Sequence, residues 1–496
     1  MSDPSQINLP IHTALTSDMM LGLKPSAPKS RSYRLSVPPV NGSTFIGGQQ
    51  VIFECPTGRR NTWCDQSQSF LKFSVQCTST TASAQTATGS AGVYLDNTAY
   101  SFIQRLDVYN SSNLLETISE YGQLANFLID TSLTQSDKAG LSAMIGTNPY
   151  TTVITTPNAY AANTVLNTVQ IAGDRSGLNI ATVTPGTGIN AAIPYTFSLP
   201  ILSGVVGVNA SKMLPVGKLS SPIRLEFYLS ANDDAIYYGA AGAGAKWQLV
   251  NVELCLCYVE IQDDALSHFG NEIDYISTTT FRQASTTLPY NTSGEFTTLL
   301  PFRAASITAL YARFRPYATA VQGANATAQY RKGTSISPNF SSIYFRVGSS
   351  IYPNKPIYLI SSSTGTGSEA MAELFKSFHA LSSSIGNSCI NYQNYNVAAT
   401  ATQGFAAIAT PAAQTTTNNS NNAFAIGLEC QSFSNRNDTI LSGISTLNSQ
   451  IYFTANIYTG LVAGDGTLQL NYTCDFFSQM DMILVIDENG VMSAKF

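Results

Sequence analysis

The residues that could carry chemistry in this chain are few and poorly spaced for it. Gly239-Ala-Ala-Gly-Ala-Gly-Ala-Lys246 has the glycine density of a phosphate-binding loop. Such a loop needs Gly-Lys-[Ser/Thr] in succession, so that backbone N–H groups, lysine and hydroxyl converge on the phosphates and their metal. Here Ala245 separates Gly244 from Lys246 and Trp247 follows, so the stretch reads as a flexible connection between strands. Asp233-Asp234 and Asp263-Asp264 are paired carboxylates, but adjacent side chains diverge; solvated turns explain both better than acid–base work. His12, His268 and His379 stand far apart and no G-x-S-x-G elbow occurs, which argues against a hydrolase triad. His379, near the end of an apolar-faced helix, suits capping or packing. Asp487-Glu-Asn-Gly490, between two apolar stretches, reads as a hairpin turn and not a calcium loop.

Cysteine adds nothing catalytic. Cys55, Cys64, Cys77, Cys255, Cys257, Cys389, Cys430 and Cys474 are scattered and contain no CxxC. Cys255 and Cys257 form a C-x-C in an apolar run, which as a strand turns both to one face. They read as buried free thiols in a reducing compartment, without the ligand spacing of a zinc site. The expectation is a chain with no catalytic, cofactor-binding or metal residues and no cofactor.

The composition says what such a chain is built for. Only 11 % of its 496 residues are charged, against roughly 25 % in an ordinary soluble domain. With 44 % apolar residues and a net charge of −5 it is not disordered, and no overall basic field exists for histone-like binding. No specific nucleic-acid site is evident. No run reaches the roughly 18–20 apolar residues that span a bilayer. The start, Met1-Ser-Asp-Pro-Ser-Gln-Ile-Asn, lacks basic and apolar signal regions, so the expectation is a soluble protein made without secretion.

The elements that must hold this surface are strands. Residues 1–40 are Pro- and Ser-rich with Lys24, Lys29, Arg31 and Arg34, and read as a solvated or partner-draped arm. Thereafter period-two runs dominate: Val51–Cys55, Leu71–Cys77, Phe102–Tyr109, Pro222–Leu229 and Trp247–Ile261. The last is apolar on both faces, with Val250, Val252, Leu254 and Leu256 opposite Leu249, Cys255, Cys257 and Val259, so it must be covered on both sides. Helical periodicity is confined to Ser119–Ile129 and Glu369–Leu381. The second has Ser368 as N-cap and an apolar face of Met371, Leu374, Phe375 and Phe378. The neutral stretches 78–100, 131–195, 315–340 and 400–425 read as long loops.

Two halves share one layout. Val51–Cys55, Leu71–Cys77, Phe102–Tyr109 and a helix in the first correspond to Phe296–Leu300, Leu310–Phe314, Ile343–Val347 and a helix in the second. Ser221-Pro-Ile-Arg-Leu-Glu-Phe corresponds to Ser449-Gln-Ile-Tyr-Phe-Thr-Ala, and Trp247-Gln-Leu to Leu468-Gln-Leu. This predicts an all-β chain of two consecutive halves of the sandwich or barrel class, with short helices and long loops. The arm would cover 1–40, the first half 41–265 and the second 266–496, with the boundary near Gln262–Gly270.

Several segments carry a resemblance. They are Gln66-Ser-Gln-Ser-Phe-Leu-Lys-Phe73; Phe102-Ile-Gln-Arg-Leu-Asp-Val-Tyr with Leu114-Leu-Glu116 and Tyr121; and Leu199-Pro-Ile-Leu-Ser-Gly-Val-Val-Gly207 with Lys212-Met-Leu-Pro215. Phe345-Arg-Val-Gly348, with Tyr352-Pro353, Pro356 and the helix from Glu369 to His379, completes the set. In this order they resemble the double jelly-roll major capsid proteins of DNA viruses, of the polinton-like virus, adintovirus and virophage type. The resemblance implies two consecutive eight-stranded jelly-roll β-sandwiches, the first over 41–265 and the second over 266–496, in a structural protein and not an enzyme: homotrimeric pseudo-hexagonal capsomers tiling an icosahedral shell around a DNA genome. Its implied partners are further copies of itself, neighbouring capsomers, and penton and minor capsid proteins; its place is the virion. A carbohydrate-binding or carbohydrate-active β-sandwich competes, with 25 Tyr and 24 Phe as stacking platforms, but two Trp and no convincing carboxylate pair weaken it. An adhesin or S-layer subunit would show secretion or calcium motifs, and neither is seen.

Overall fold

The computed structural model describes residues 29–58, 60–79, 91–147, 176–184, 188–189, 194–210, 212–231, 235–238, 245–262, 273–289, 292, 294–316, 335, 338, 340–359, 367–378, 388–390, 395, 423–431, 440–457 and 472–496. The first half contains β1 (Ser30–Val37), β2 (Thr44–Ile46), β3 (Gln50–Cys55), β4 (Thr62–Ser79), β5 (Ala91–Asp96), β6 (Ile103–Asn110) and β7 (Asn113–Ser119). After these come β8 (Ser176–Thr184), β9 (Gly188–Ile189), β10 (Tyr195–Pro200), β11 (Ile223–Leu229), β12 (Ile236–Tyr238) and β13 (Ala245–Ile261). The second half contains β14 (Asp274–Leu288), β15 (Glu295–Leu300), β16 (Ile307–Pro316), β17 (Phe340–Val347) and β18 (Ser350–Tyr358). It closes with β19 (Ala425–Glu429), β20 (Ile451–Ile457), β21 (Tyr472–Ile486) and β22 (Met492–Lys495). The helices are α1 (Tyr121–Ser132), α2 (Gln135–Gly140), α3 (Ser142–Ile145) and α4 (Ser368–Ser377).

Pairing turns this list into two copies of one wrapping. The first half has sheets β1-β13-β4-β10 and β3-β11-β6-β7; the second has β14-β21-β16-β19 and β15-β20-β17-β18. Numbering the eight framework strands of each half in chain order, both give first-eighth-third-sixth in one sheet and second-seventh-fourth-fifth in the other. That is the antiparallel double Greek key of a jelly roll. The strand correspondences inferred from sequence are those that the two sheets pair.

Each sandwich closes on an aromatic knot. In the first, Phe73 packs edge-on against Phe102 and Phe197, and Phe102 lies 4.7 Å from Trp247 between ring centroids. In the second, Phe314 meets Phe340, Phe424 and Phe453, and Phe453 meets Phe345 and Phe476. Such edge-to-face pairs add about 0.5–1.5 kcal/mol each beyond area burial.

Some expectations need correction. Residues 30–37, assigned to the arm, form β1, paired along its whole length with β13 from Ser30↔Ile261 to Val37↔Leu254. Serines and arginines alternating with Tyr33, Leu35 and Val37 disguise a strand that is apolar on one face only. The rest of the arm, 1–28, lies outside the described residues. The neutral stretches 78–100 and 131–195 are not simply loops: they hold the ends of β4 and α1, helices α2 and α3, and strands β5, β8 and β9, which with β12 form a further sheet, β12-β5-β8-β9. Its Val93, Leu95 and Ile180 are buried among Gly, Ala, Ser and Thr, so too few apolar residues stand in the sequence to show the alternation. Residues 401–422, and most of the expected boundary Gln262–Gly270, lie outside the described residues.

The faces of β13 also differ from a straight period-two reading. Asn251 takes φ +52° and the register to β4 shifts between Val250 and Glu253. This bulge reverses the parity: Trp247 and Leu249 point inward before it, Val252, Leu254, Leu256 and Tyr258 after it, and Val250 is left half-buried. At α4 the cap position belongs to Gly367 (φ +63°) and Ser368 is the first helical residue, because the chain enters through a left-handed turn.

Candidate functional site

Among the described residues no group of three or more His, Cys, Asp or Glu is placed to hold a metal ion. His12, His268, His379, Asp233-Asp234, Asp263-Asp264 and Gly239–Gly244 lie outside the described residues. None of the eight cysteines is in a disulfide; seven are buried and Cys257 is half-buried. Burial pushes the Cys64, Cys77 and Cys430 thiols up to about 12, far from the thiolate that reacts at neutral pH. Asp487–Gly490 is the β21–β22 turn: the Asp487 carboxylate accepts from the N–H groups of Asn489 (3.0 Å) and Val491 (2.7 Å).

What the fold does assemble is a buried polar seam between the two sandwiches. Its centre is Asp475 on β21, 0 % exposed. The carboxylate receives Arg315 through Nε and Nη2, Gln123 Nε2 of α1 at 3.0 Å, Gln283 Nε2 at 3.2 Å and Ser285 Oγ at 2.9 Å. Beside it Arg313, also buried, donates through Nη1 to the Gln123 carbonyl at 3.1 Å and lies over the Phe127 ring of α1. Burial pulls its guanidinium down to about 10, against the opposing pull of Asp475. Glu120, at the start of α1, stands 3.6 Å from Arg315. The outer face of β16 and β21 is thus sealed by a helix of the other sandwich, whose Phe127 packs on Tyr311 and Phe378.

A second cluster lies along β7. The buried Glu116 carboxylate accepts from Ser203 Oγ, the Gly204 N–H (3.1 Å) and Thr280 Oγ1 of β14, so it ties the 201–207 loop and the second sandwich together. Thr278 Oγ1 donates back to the Gly204 carbonyl at 2.9 Å. A Cβ on Gly204 would stand 2.6 Å from the Thr279 carbonyl oxygen, and one on Gly207 2.3 Å from that of Ile201, so only glycine permits this approach. Tyr121 Oη accepts from the Leu202 N–H at 2.6 Å. Towards the C-terminal hairpin, Asn110 and Asn113 bond the Met492 backbone, Lys218 pairs with Asp274 at 2.8 Å, and the Ser220 N–H donates to the Gly490 carbonyl.

Two of the segments behind the capsid resemblance therefore meet here. Glu116, Tyr121 and Ser203-Gly204 through Gly207 are seam residues, and their types follow from close approach and buried acceptors. Asp475, Gln123, Arg313 and Arg315 were not singled out from sequence. An Asp in a largely apolar run gives no sign of its cross-strand partner, although Tyr311-Ala-Arg-Phe-Arg315, with two arginines inside a strand, is the available signal.

Burial raises the Glu116 pKa, with its hydrogen bonds opposing. A carboxyl raised on folding adds most to stability while protonated, and that contribution is lost as pH rises through its folded value. Glu116→Gln removes the dependence. The urea midpoint of the variant should therefore gain on that of the wild type between about pH 4 and about pH 7; a gap constant with pH would count against a buried, ionising Glu116.

Charge elsewhere is uneven. The outer face of β3-β11-β6-β7 carries Arg224–Glu226 at 2.9 Å and Arg105–Asp107 at 3.1 Å, with the arginines over Tyr109 and Tyr228. The corresponding face of β15-β20-β17-β18 presents the row Leu299, Tyr452, Arg346 and Ile351.

No protein-family model matches the sequence, and no curated protein matches it. Solved structures do. The Sputnik virophage structure from cryo-EM matches over 97 % of this chain and 92 % of its own, at 13 % identity and a TM-score of 0.58. The Faustovirus major capsid protein matches over 95 % and 93 %, at 9 % identity and 0.52. The mavirus major capsid protein matches over 100 % and 95 %, at 11 % identity and 0.51. The fold of the present chain is the double jelly roll of these proteins.

Proposed function

We propose, from that shared fold, that this chain is a viral major capsid protein. Three copies form a pseudo-hexagonal capsomer, and capsomers tile an icosahedral shell around a DNA genome. The observation that carries the reading is the pair of identically wound jelly rolls held by one buried seam. Two like units fixed at one angle in each of three chains supply six walls around a three-fold axis, and such a head-to-tail contact closes into a ring. The sparse charge fits a molecule whose walls are covered by neighbours, since unpaired ions buried there cost several kcal/mol each. The role is structural, without a reaction. The partners are copies of the same chain, neighbouring capsomers, and penton and minor capsid proteins, within the virion. Residues 1–28 serve as the arm, and the two rolls divide near residue 265.

Light scattering on a size-exclusion column, with negative-stain microscopy of the same fraction, tests this. Trimers with a hexagonal outline are expected; a monodisperse monomer at micromolar concentration would overturn it.

A further inference from the structure

Sheets β3-β11-β6-β7 and β15-β20-β17-β18 have four edge strands, and an edge strand offers a row of unpaired N–H and C=O groups to any other chain. Three of the four are occupied or blocked by the protein itself. β7 is taken up by the second roll, where Glu116 meets Thr280 of β14. β18 carries Pro353 and Pro356, which have no N–H to offer, with Lys355 between them. β3 is capped by its own chain. The Val40 N–H donates to the Ile52 carbonyl at 2.9 Å, while the Asn41 side chain donates to the Gln50 carbonyl at 2.7 Å and accepts from the Ile52 N–H at 3.0 Å.

β15, the counterpart of β3, has no such cap. The Ile457 N–H donates to the Gly294 carbonyl at 2.9 Å, so Gly294 and every second residue after it bond β20. Glu295, Thr297 and Leu299 therefore turn both backbone groups away from the sheet, as Gln50 and Ile52 do in β3. None of those groups has a partner among the described residues. The cause is chain length: residues 38–49 lead from β1 to β3, but only 289–294 from β14 to β15. The side chains along this edge are open too. Glu295, Thr297 and Leu299 are exposed, Leu299 by 50 % beside Tyr452, and Phe296 is half-buried against the core. Thr297 Oγ1 donates to the Glu295 carboxylate at 3.2 Å, and no cation stands against that carboxylate among the described residues.

We infer that β15 is the docking edge for an extended segment of a different polypeptide, which joins sheet β15-β20-β17-β18 as a fifth strand. Main-chain bonds to Glu295, Thr297 and Leu299 supply the attachment, and alternate side chains set the choice of partner. Every pair in this sheet is antiparallel. A fifth strand of that sense needs Lys or Arg opposite Glu295, a β-branched residue opposite Thr297 and an apolar one opposite Leu299. Val or Ile would cover Phe296 and Thr298 on the inner face. Charge selects against a second β15 as the occupant. Centred on Thr297, that pairing sets Glu295 opposite Leu299 and leaves both carboxylates without a counter-charge.

A fluorescein-labelled synthetic peptide reading isoleucine-valine-threonine-valine-lysine, titrated into the full chain and followed by anisotropy, tests this together with amide hydrogen exchange. Without peptide, residues 295–300 should exchange faster than 50–55, and saturating peptide should slow them. Thr297→Pro removes an N–H that no strand of this chain uses, so circular dichroism and elution should be unchanged while binding is lost. Glu295→Lys should weaken binding about three- to tenfold, and a peptide ending in glutamate should restore it. Slow exchange at 295–300 before peptide is added would mean that this chain or a copy of it already fills the edge, and would overturn the inference. So would an absence of binding, or binding that Thr297→Pro leaves intact. None of these outcomes bears on the trimer, which the size-exclusion measurement decides separately.

Discussion

Asp475→Ala should destabilise the chain by about 3–5 kcal/mol, the usual cost of removing one partner from a buried ion pair. The carboxylate is the single acceptor on which Arg315, Gln123, Gln283 and Ser285 converge. Alanine would leave Arg313 and Arg315 as like charges in the seam, with Glu120 3.6 Å from Arg315 and Asp96 acting on Arg313 as counter-charges. Water cannot solvate them without parting α1 from β16. Asp475→Asn keeps an acceptor but not the charge and should cost less. Urea unfolding of both variants gives the comparison; a loss below about 1 kcal/mol for alanine would mean that the pair contributes nothing net.

Phe73→Ala and Phe314→Ala should cost about 3–5 kcal/mol each, the range for deleting a buried ring from a core that cannot collapse. The two occupy the same place in their rolls, one residue beyond the outward rows Lys72↔Glu253 and Arg313↔Asp475. Both are fully buried, and each touches rings from the fourth-strand and sixth-strand sides: Phe102 and Phe197 for the first, Phe340 and Phe424 for the second. Similar denaturation losses are expected from the duplicated architecture. A loss under about 1.5 kcal/mol at one site only would show that the two knots are not equivalent.

Much of this frame is legible in the sequence, for a physical reason. A strand with one face in a core must alternate, so Val51–Cys55, Leu71–Cys77 and Ile223–Leu229 announce themselves, as do their counterparts in the second half. Helices α1 and α4 are readable because an amphipathic turn repeats differently. Legibility fails where a side chain's burial depends on something distant. β1 hides because its outer positions are Ser and Arg; β5 and β8 hide because few of their residues are large and apolar. The bulge at Asn251 moves Val250 off the core face although the local pattern continues through it.

The polar seam lies beyond reach in the same way. Glu116, Tyr121 and Gly204 stand in recognisable segments, yet nothing local shows that Thr280, Leu202 and Thr279 are what they meet. Asp475 and Glu253 are each an acid in a largely apolar strand, and the sequence treats them alike. By itself it determined two strand-rich halves of one layout and a chain sparse in charge, because periodicity and composition are properties of short segments and of sums. Only the tertiary structure decided that Asp475 is closed over by its own chain while Glu253, at the corresponding place in the first roll, is left 38 % exposed. That depends on which strands the chain brings together across hundreds of residues, and close approach is what turns a lone carboxylate into a buried acceptor.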